Sequence, residues 1–168
     1  MPVVFETKRL RVLVGENCPE HLKLFESLWS DPRVMRNVGF AKGMKVDLEQ
    51  LKGRLDKRIT RGSLGLLNRL LLVQSKSSSA LMGECWLGQP GEDGVSETDV
   101  KLLPAFWGHG YGVEIKRGLL EFLFTETDCQ KVKATPNKDN AGSIKMQESV
   151  GAVRVGSNRW EPPRGIQK

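Results

Sequence analysis

The sequence predicts a single α/β (α+β) domain, in which a mixed β-sheet of about six or seven strands is flanked by about four helices. A chain of 168 residues has the length of one ordinary domain with its own apolar core. Strand-like and helix-like hydrophobic periods alternate along it, and one strand is followed by a glycine-rich turn, a helix and another strand. We place the domain over residues 1–168, with a core at about 6–155 and a loose tail at 161–168.

The first half of the chain predicts one strand and two helices. Large apolar side chains recur at every second position of Arg9–Val14, which indicates a strand. A start similar to a capping box at Asn17–Glu20 predicts a helix that ends at Asp31. Residues 34–45 have no regular period, and Asp47 begins a second helix. Four apolar residues form the buried stripe of this helix, namely Leu48, Leu51, Leu55 and Ile59.

Three strands follow at Leu66–Val73, Ala80–Leu87 and Val95–Leu103. Only short polar or glycine-rich turns separate them, so we expect an antiparallel meander. Side chains of the third strand alternate between two faces, with Thr98, Val100 and Leu102 on one and Glu97, Asp99 and Lys101 on the other.

The last third of the chain predicts a crossover unit. After the glycine-rich turn, a helix extends to about Glu126 and a strand follows at Lys131–Thr135, which indicates a parallel, right-handed β-α-β unit. Asp139 begins a last helix that ends at Ser149, and a final strand covers Val153–Trp160.

The turn Trp107–Val113 contains three glycines at alternate positions where a helix begins. Gly108, Gly110 and Gly112 leave backbone N–H groups unshielded beside the positive end of the helix dipole, which indicates a phosphate or pyrophosphate site. A plain strand-to-helix turn is the alternative, because glycine also permits positive φ. The G-x-G-x-G spacing and the lack of a carboxylate after the next strand disfavour a dinucleotide-binding loop, and no Gly-Lys-Ser/Thr follows for a Walker loop.

Composition limits the partners and the compartment. The net charge of +6 indicates an anionic partner, but no compact Lys/Arg run with interleaved aromatic residues indicates a dedicated nucleic-acid module. Cys18, Cys85 and Cys129 are widely spaced and odd in number, as expected for reduced thiols rather than a disulfide framework or a zinc site. No 18-residue apolar run and no leader pattern occur, so we expect no membrane segment and a cytoplasmic location.

Four segments resemble, in the same order along the chain, motifs of the GNAT acyltransferase superfamily. Trp107–Gly112 is similar to its Q/R-x-x-G-x-G/A pyrophosphate loop, and Asn140–Ala152 to the N-x-x-S…E-K-x-G-F pattern that follows. Glu6–Arg11 and Trp29–Met35 resemble the opening of the subgroup that contains the ribosomal-protein N-terminal (alanine/serine) acetyltransferases. The resemblance covers about Glu6–Val155 and implies a GNAT-like fold with a splayed sheet.

The resemblance implies direct transfer of an acetyl group from acetyl-CoA to a primary amine, with no metal. Backbone N–H groups of the loop would hold the cofactor, and the residues concerned are Trp107, Gly108, His109, Gly110, Tyr111, Gly112 and Val113. A backbone N–H of the preceding strand, assigned to Leu102, would polarise the thioester carbonyl. Asn140 would contact the pantetheine arm and Ser143 would lie near the sulfur or the phosphates, although an N-cap and a solvent-facing helix serine are the ordinary interpretations of these two residues.

The resemblance defines the catalytic acid and base less well. Many GNAT enzymes protonate the leaving thiolate with a tyrosine seven positions after the motif asparagine, but this chain has Gln147 there and its single tyrosine is Tyr111. Ser143, water or no acid at all would then serve. Glu97 aligns with a glutamate of the subgroup and is the first candidate for the general base, with Glu84 the second. The alternative for Glu97 is the solvated face of a half-exposed strand.

The acidity of the amine favours one class of acceptor. A protein α-amine has a pKa of about 7.7–8.0, whereas a lysine at about 10.4 costs roughly 4 kcal/mol to deprotonate near pH 7.5. We therefore expect a protein N-terminus as acceptor, with an amine-bearing metabolite or antibiotic as the second candidate. The sequence is also compatible with a non-catalytic acyl-CoA-binding module, with a homodimer and, more weakly, with RNA binding.

Overall fold

The computed structural model describes residues 3–56, 65–134, 140–154 and 160–161, and its centre is a six-stranded sheet in which each strand pairs with its neighbour in the chain. The strands are β1 (Val3–Glu6), β2 (Leu10–Val14), β3 (Leu71–Ser75), β4 (Leu81–Leu87), β5 (Val95–Leu102) and β6 (Lys131–Lys133). β1 to β5 pair antiparallel, whereas β5 and β6 pair parallel. The predicted mixed sheet with its meander is confirmed.

The helices in the described residues are α1 (Pro19–Trp29), α2 (Pro32–Met35), α3 (Leu48–Leu55), α4 (Tyr111–Glu126) and α5 (Ala141–Ser149). The helix α2 was not predicted. The Asp31 side chain accepts a hydrogen bond from the Arg33 N–H at 2.8 Å, and Pro32 occupies the first helical turn, where it needs no N–H partner. The Asp-Pro pair that follows the end of α1 therefore also begins α2. None of the described helices has the length and apolarity needed to cross a membrane.

Two predicted strands are wrong in their extent. The strand predicted at Leu66–Val73 begins only at Leu71, because Asn68 has a φ of 62°, a left-handed conformation that a strand does not accommodate. The strand predicted at Val153–Trp160 is instead two short strands, β7 (Val153–Arg154) and β8 (Trp160–Glu161), which pair antiparallel. β1 was missed because four residues are too few to show a period.

Four residues used in the predictions, Ile59, Thr135, Asp139 and Val155, lie outside the described residues, as does the predicted loose tail after Glu161. The N-cap of α5 is Asn140, whose side-chain oxygen accepts from the Ser143 N–H at 3.1 Å. The end of α5 at Ser149 agrees with the prediction.

Apolar side chains pack on both faces of the sheet. The face toward α4 holds a cluster that includes Val12, Val73, Cys85, Ile115 and Leu119. The face toward α1 and α3 holds a second cluster that includes Leu13, Phe25, Leu28, Leu51 and Leu72. β5 follows the same alternation: Leu102 packs in the first cluster and Leu103 against the second. Its even-numbered side chains therefore face α4, and its odd-numbered ones face α1 and α3.

The ladder between β5 and β6 is short. It pairs Val95–Glu97 with Lys131–Lys133, while β5 continues to Leu102 beside β4. In the described residues, the five positions of β5 after Glu97 have no recorded partner on β6. This edge of β5 borders the cleft described below.

Candidate active site

A cleft of about 1580 Å³ extends from the glycine-rich turn along β5 to the segment around α2. On the α4 side it is lined by the turn, by Thr98 and by α5, and on the opposite side by Trp29, Met35 and Phe40. Residues 34–45, which have no regular hydrophobic period, thus contribute to its wall. Most residues singled out from the sequence meet in this one cleft.

The glycine-rich turn presents a concave row of backbone donors. Gly108 and Gly110 have left-handed φ values of 80° and 78°, and Gly110 is the N-cap of α4. Alternating backbone conformations of this kind aim successive N–H groups toward one point and form an anion-binding concavity. A Cβ at Gly108 would meet no atom within 4 Å, so the backbone is open to a ligand. These features fit a phosphate group.

The donors of the turn can be identified from the hydrogen bonds already made. The Glu114 N–H donates to the Gly110 carbonyl at 3.1 Å as part of the helix, and the Trp107 N–H donates to the Pro104 carbonyl at 3.1 Å. No hydrogen bond to another described residue is recorded for the N–H groups of Gly108 to Val113. These six groups, and not that of Trp107, are therefore available to an anion.

Arg9, just before β2, supports the turn through four contacts. Its Nη1 donates to the His109 carbonyl at 3.0 Å, its Nε pairs with Glu114 at 2.7 Å, and its guanidinium lies 4.3 Å from the centre of the Tyr111 ring. Its backbone N–H donates to the second Glu114 oxygen at 2.9 Å. Partial burial acts to raise the pKa of Glu114, but hydrogen bonds from Thr7 and Arg9 outweigh it and hold that pKa below its usual value.

We expect Arg9→Lys to weaken acetyl-CoA binding roughly 3- to 10-fold, because lysine keeps the charge but loses the forked hydrogen bonds and the stacking on Tyr111. Isothermal titration calorimetry measures the change. Arg11→Lys is the matched control, since Arg11 also pairs with a glutamate, Glu6, but does not contact the turn. Equal dissociation constants for Arg9→Lys and wild type would show that the turn needs no support from Arg9.

β5 directs further backbone donors into the cleft. The Leu103 N–H donates to Met82 and the Glu97 carbonyl accepts from Gly88, so odd-numbered residues of β5 bond to β4. Because backbone groups alternate along an antiparallel strand, the N–H groups of Val100 and Leu102 point away from β4. The Trp107 indole N–H donates to the Leu102 carbonyl at 2.8 Å, which joins this strand to the turn. The Leu102 N–H is therefore directed into the cleft, where a ligand can accept from it.

On the face of the sheet toward α1 and α3, β4 and β5 carry carboxylates that are paired with lysines. Glu84 of β4 is 5% exposed, accepts from the Trp29 indole at 2.6 Å and lies 3.7 Å from the Lys101 ammonium. Burial raises the pKa of Glu84, against the opposing effects of Lys101 and Trp29. Asp99 also pairs with Lys101, and Glu97 pairs with Lys133 at 3.4 Å. Glu97 is the most accessible of the three carboxylates, whereas Glu84 is held under Trp29.

The residues of α5 lie on the α4 side of the cleft. Asn140 and Ser143 both line it, and the oxygen of the Asn140 side chain is used by the Ser143 N–H as a helix cap. Gln147 is 3% exposed, and its Oε1 has no hydrogen-bond partner in the described residues. Tyr111 also lines the cleft, but its ring is covered by Arg9. Sequence reasoning did not single out the side chains of Thr98, Lys116 and Trp29, because their hydrogen bonds form only between segments that are distant in the chain.

Comparison with known proteins gives consistent matches. A family model described as "Acetyltransferase (GNAT) domain" matches residues 11–153. The uncharacterized protein YkkB of Bacillus subtilis is 27% identical over 95% of this chain and 91% of that protein. Aminoglycoside N(6')-acetyltransferase type 1 of Klebsiella pneumoniae is 29% identical over 56% of this chain and 48% of that enzyme. A crystal structure of spermidine N-acetyltransferase from Vibrio cholerae with CoA and spermine has a TM-score of 0.77 at 16% identity, over 94% of this chain and 97% of that one.

Proposed function

Because this chain belongs to the GNAT acetyltransferase family, we propose that it transfers the acetyl group of acetyl-CoA to the N-terminal α-amine of a protein or peptide. The family match covers most of the chain and makes the protein an acetyl-CoA-dependent N-acetyltransferase rather than a non-catalytic module. The α-amine as acceptor, the subgroup and the individual site residues are the proposal. The observation that carries it is the charge distribution of the cleft.

We place the phosphates of acetyl-CoA at the N–H groups of Gly108 to Val113. The Leu102 N–H points into the cleft beside Trp107. It lies five strand residues, about 16 Å, from Glu97, so we assign it to the pantetheine arm rather than to the thioester carbonyl, which lies further along β5. Asn140 and Ser143 border the pantetheine arm from α5. No step of this assignment needs a metal ion.

Glu97 is proposed as the general base, acting through water. Its side chain lies on the α1 and α3 face of β5, whereas the turn and α5 lie on the side of α4. The amine thus approaches from the side of Trp29 and Met35, and loses its proton toward Glu97 as the C–N bond forms. Glu84, the second candidate from the sequence, holds the Trp29 indole instead.

The charges around the acceptor side favour an acceptor that is not a polycation. The three carboxylates there pair with two lysines, Lys101 and Lys133, so these charges alone leave about one negative charge to attract a second ammonium group. Arg36 and Arg54 line the same region, and no ion pair is recorded for either among the described residues. Arginines at a cleft entrance attract carboxylates by long-range electrostatics. An acidic peptide that begins with a free α-amine fits this arrangement.

A small-molecule amine is the second candidate. The names of two matched proteins favour it, since one is an aminoglycoside acetyltransferase and the other is a spermidine acetyltransferase. Both of those acceptors are polycations, which the paired carboxylates of this cleft fit less well.

We expect kcat/KM for a peptide with an acidic second residue to exceed that for spermidine or kanamycin by at least about tenfold, measured as release of CoA thiol. Arg36→Glu is expected to lower the peptide rate and raise the spermidine rate. Lys23→Glu is the control, because it makes the same change of charge at an exposed site that does not line the cleft. A preference of the wild type for spermidine or kanamycin would contradict the proposed acceptor and leave acetyl transfer intact.

A further inference from the structure

Lys116 is a buried lysine whose amine is held by a hydroxyl rather than by a carboxylate. It lies on α4 with 1% of its surface exposed, and its Nζ donates to the Thr98 Oγ1 at 2.5 Å. No ion pair is recorded for it among the described residues. A buried ammonium without a carboxylate partner is unfavourable, so its presence beside a reaction cleft indicates a function.

Thr98 lies on the part of β5 that borders the cleft. It is the first residue of β5 after the ladder with β6, and its side chain faces α4, opposite the neighbouring side chain of Glu97. Thr98 and Lys116 both line the cleft that contains the glycine-rich turn. With the phosphates at the turn, the thioester at the far end of the pantetheine arm lies further along β5, toward Thr98.

We propose that Thr98 and Lys116 supply the proton to the thiolate of CoA as it leaves. The Thr98 hydroxyl donates its proton to the sulfur, and the Lys116 ammonium donates one to the Thr98 oxygen. Thr98 is then the catalytic residue and Lys116 acts through it. The proposal rests on acetyl transfer in this cleft, and it gives the reaction an acid that α5 lacks, since Gln147 has no proton to release.

The step balances in atoms and charge. The amine nitrogen bonds to the acetyl carbon, the C–S bond breaks, and its electron pair goes to sulfur. Sulfur takes the Thr98 proton, the Thr98 oxygen takes one from the Lys116 ammonium, and Lys116 is left neutral. The proton lost by the attacking nitrogen goes to Glu97 and then to water, from which Lys116 is protonated again.

The acidity of Lys116 suits this role. Burial lowers its pKa to about 8, with Asp99 acting in the opposite direction. Such a group is about three-quarters protonated at pH 7.5 and is close in pKa to a thiol at about 8.5. Several other charged groups line the cleft, namely Glu97, Asp99 and Lys101 on β5, Glu84 on β4, Lys133 on β6, Lys145 on α5, and Arg33, Arg36 and Arg54 on the opposite side.

The lowered pKa also predicts that variants of Lys116 fold. The unfolded chain binds more protons at this site than the folded one between pH 8 and about 10.5, so wild-type stability rises with pH across that range. Below pH 8 the buried charge opposes folding, and Lys116→Met removes it. We expect Lys116→Met to be at least as stable as wild type at pH 7.

The direct test is the thiol pKa of bound CoA, followed by thiolate absorbance at 232 nm in the binary complex, with no acceptor present. A nearby ammonium and hydroxyl stabilise a thiolate, so we expect Lys116→Met and Thr98→Val to raise that pKa by about one unit or more. Thr98→Ser should keep the wild-type value, and Lys131→Met is the control at an exposed lysine outside the cleft. An unchanged thiol pKa in both Lys116→Met and Thr98→Val would overturn the proposal.

Kinetics separate this role from a structural one. We expect kcat of Thr98→Val and Lys116→Met to fall at least about tenfold with little change in KM, and the decline of wild-type kcat above pH 8 to disappear in Lys116→Met. A higher KM with unchanged kcat would show that the pair only shapes the cleft. A raised thiol pKa in Ser143→Ala but not in Thr98→Val would assign the donor to Ser143 instead.

Discussion

Gly112→Asp is expected to abolish the stabilisation of this protein by acetyl-CoA while leaving the apo protein folded. Gly112 lies in the first turn of α4, and a Cβ there would make only an ordinary 3.7 Å contact with the Met146 sulfur. An aspartate near a helix N-terminus favours the helix. The same carboxylate, however, competes with and repels the phosphates from the N–H groups of the turn.

Thermal unfolding with and without acetyl-CoA measures this effect. Ligand at about 100 times its dissociation constant should add roughly 2.7 kcal/mol to the wild type, or about 5–10 °C in Tm, and nothing to Gly112→Asp. Gly112→Ala tests the methyl group without the charge. Gly53→Asp places the same residue in α3, in open space outside the cleft, and should keep the full shift. A folded Gly112→Asp that still responds to acetyl-CoA would refute the phosphate site.

Gly83→Ala is expected to destabilise the protein by about 3 kcal/mol or more. Gly83 lies on β4 opposite Leu102, and a Cβ there would lie 2.1 Å from the Lys101 carbonyl oxygen and 2.8 Å from the Leu102 Cα. Both are backbone atoms, so neither can rotate away as a side chain would. β4 and β5 must separate, which also displaces the Leu102 N–H from the cleft.

Urea unfolding of Gly83→Ala and Gly53→Ala gives a matched comparison. In α3 the added methyl group meets nothing within 4 Å, and alanine stabilises a helix by up to about 1 kcal/mol over glycine. The two identical substitutions should therefore change the free energy of unfolding in opposite directions. A Gly83→Ala variant within about 0.5 kcal/mol of wild type would show that the strands accommodate a side chain there.

Most of the fold could be predicted from the sequence, because the hydrophobic period of a strand or helix is contained within that element. The alternation of Thr98 with Glu97 placed them on opposite faces of β5. In the stripe predicted for α3, Leu51 and Leu55 are buried, whereas Leu48 is exposed. The cap of α5, the left-handed Asn68 and the helix at Pro32 depend on the conformation of single residues. A periodic pattern carries no information about such positions. The start of β3 and the cap of α5 were therefore predicted at the wrong residues, and α2 was missed.

The candidate site was likewise predicted where its residues are contiguous in sequence, and missed where they are distant. The glycine-rich turn is contiguous in sequence, so its donors were predicted, apart from the Trp107 N–H, which donates to Pro104. Hydrogen bonds of Lys116 with Thr98 and of Trp29 with Glu84 join residues 18 and 55 positions apart. Only the packing of α4 and α1 on the sheet brings these pairs together, and no local spacing indicates them.

The ion pair between Arg9 and Glu114 joins residues 105 positions apart. Between them in the chain lie β2 to β5, so the glycine-rich turn gains its support only after nearly the whole sheet has formed. Contacts of such high sequence separation form late and slowly during folding. The anion site is therefore a property of the completed fold, and a fragment that contains only the turn and α4 lacks the guanidinium that supports it.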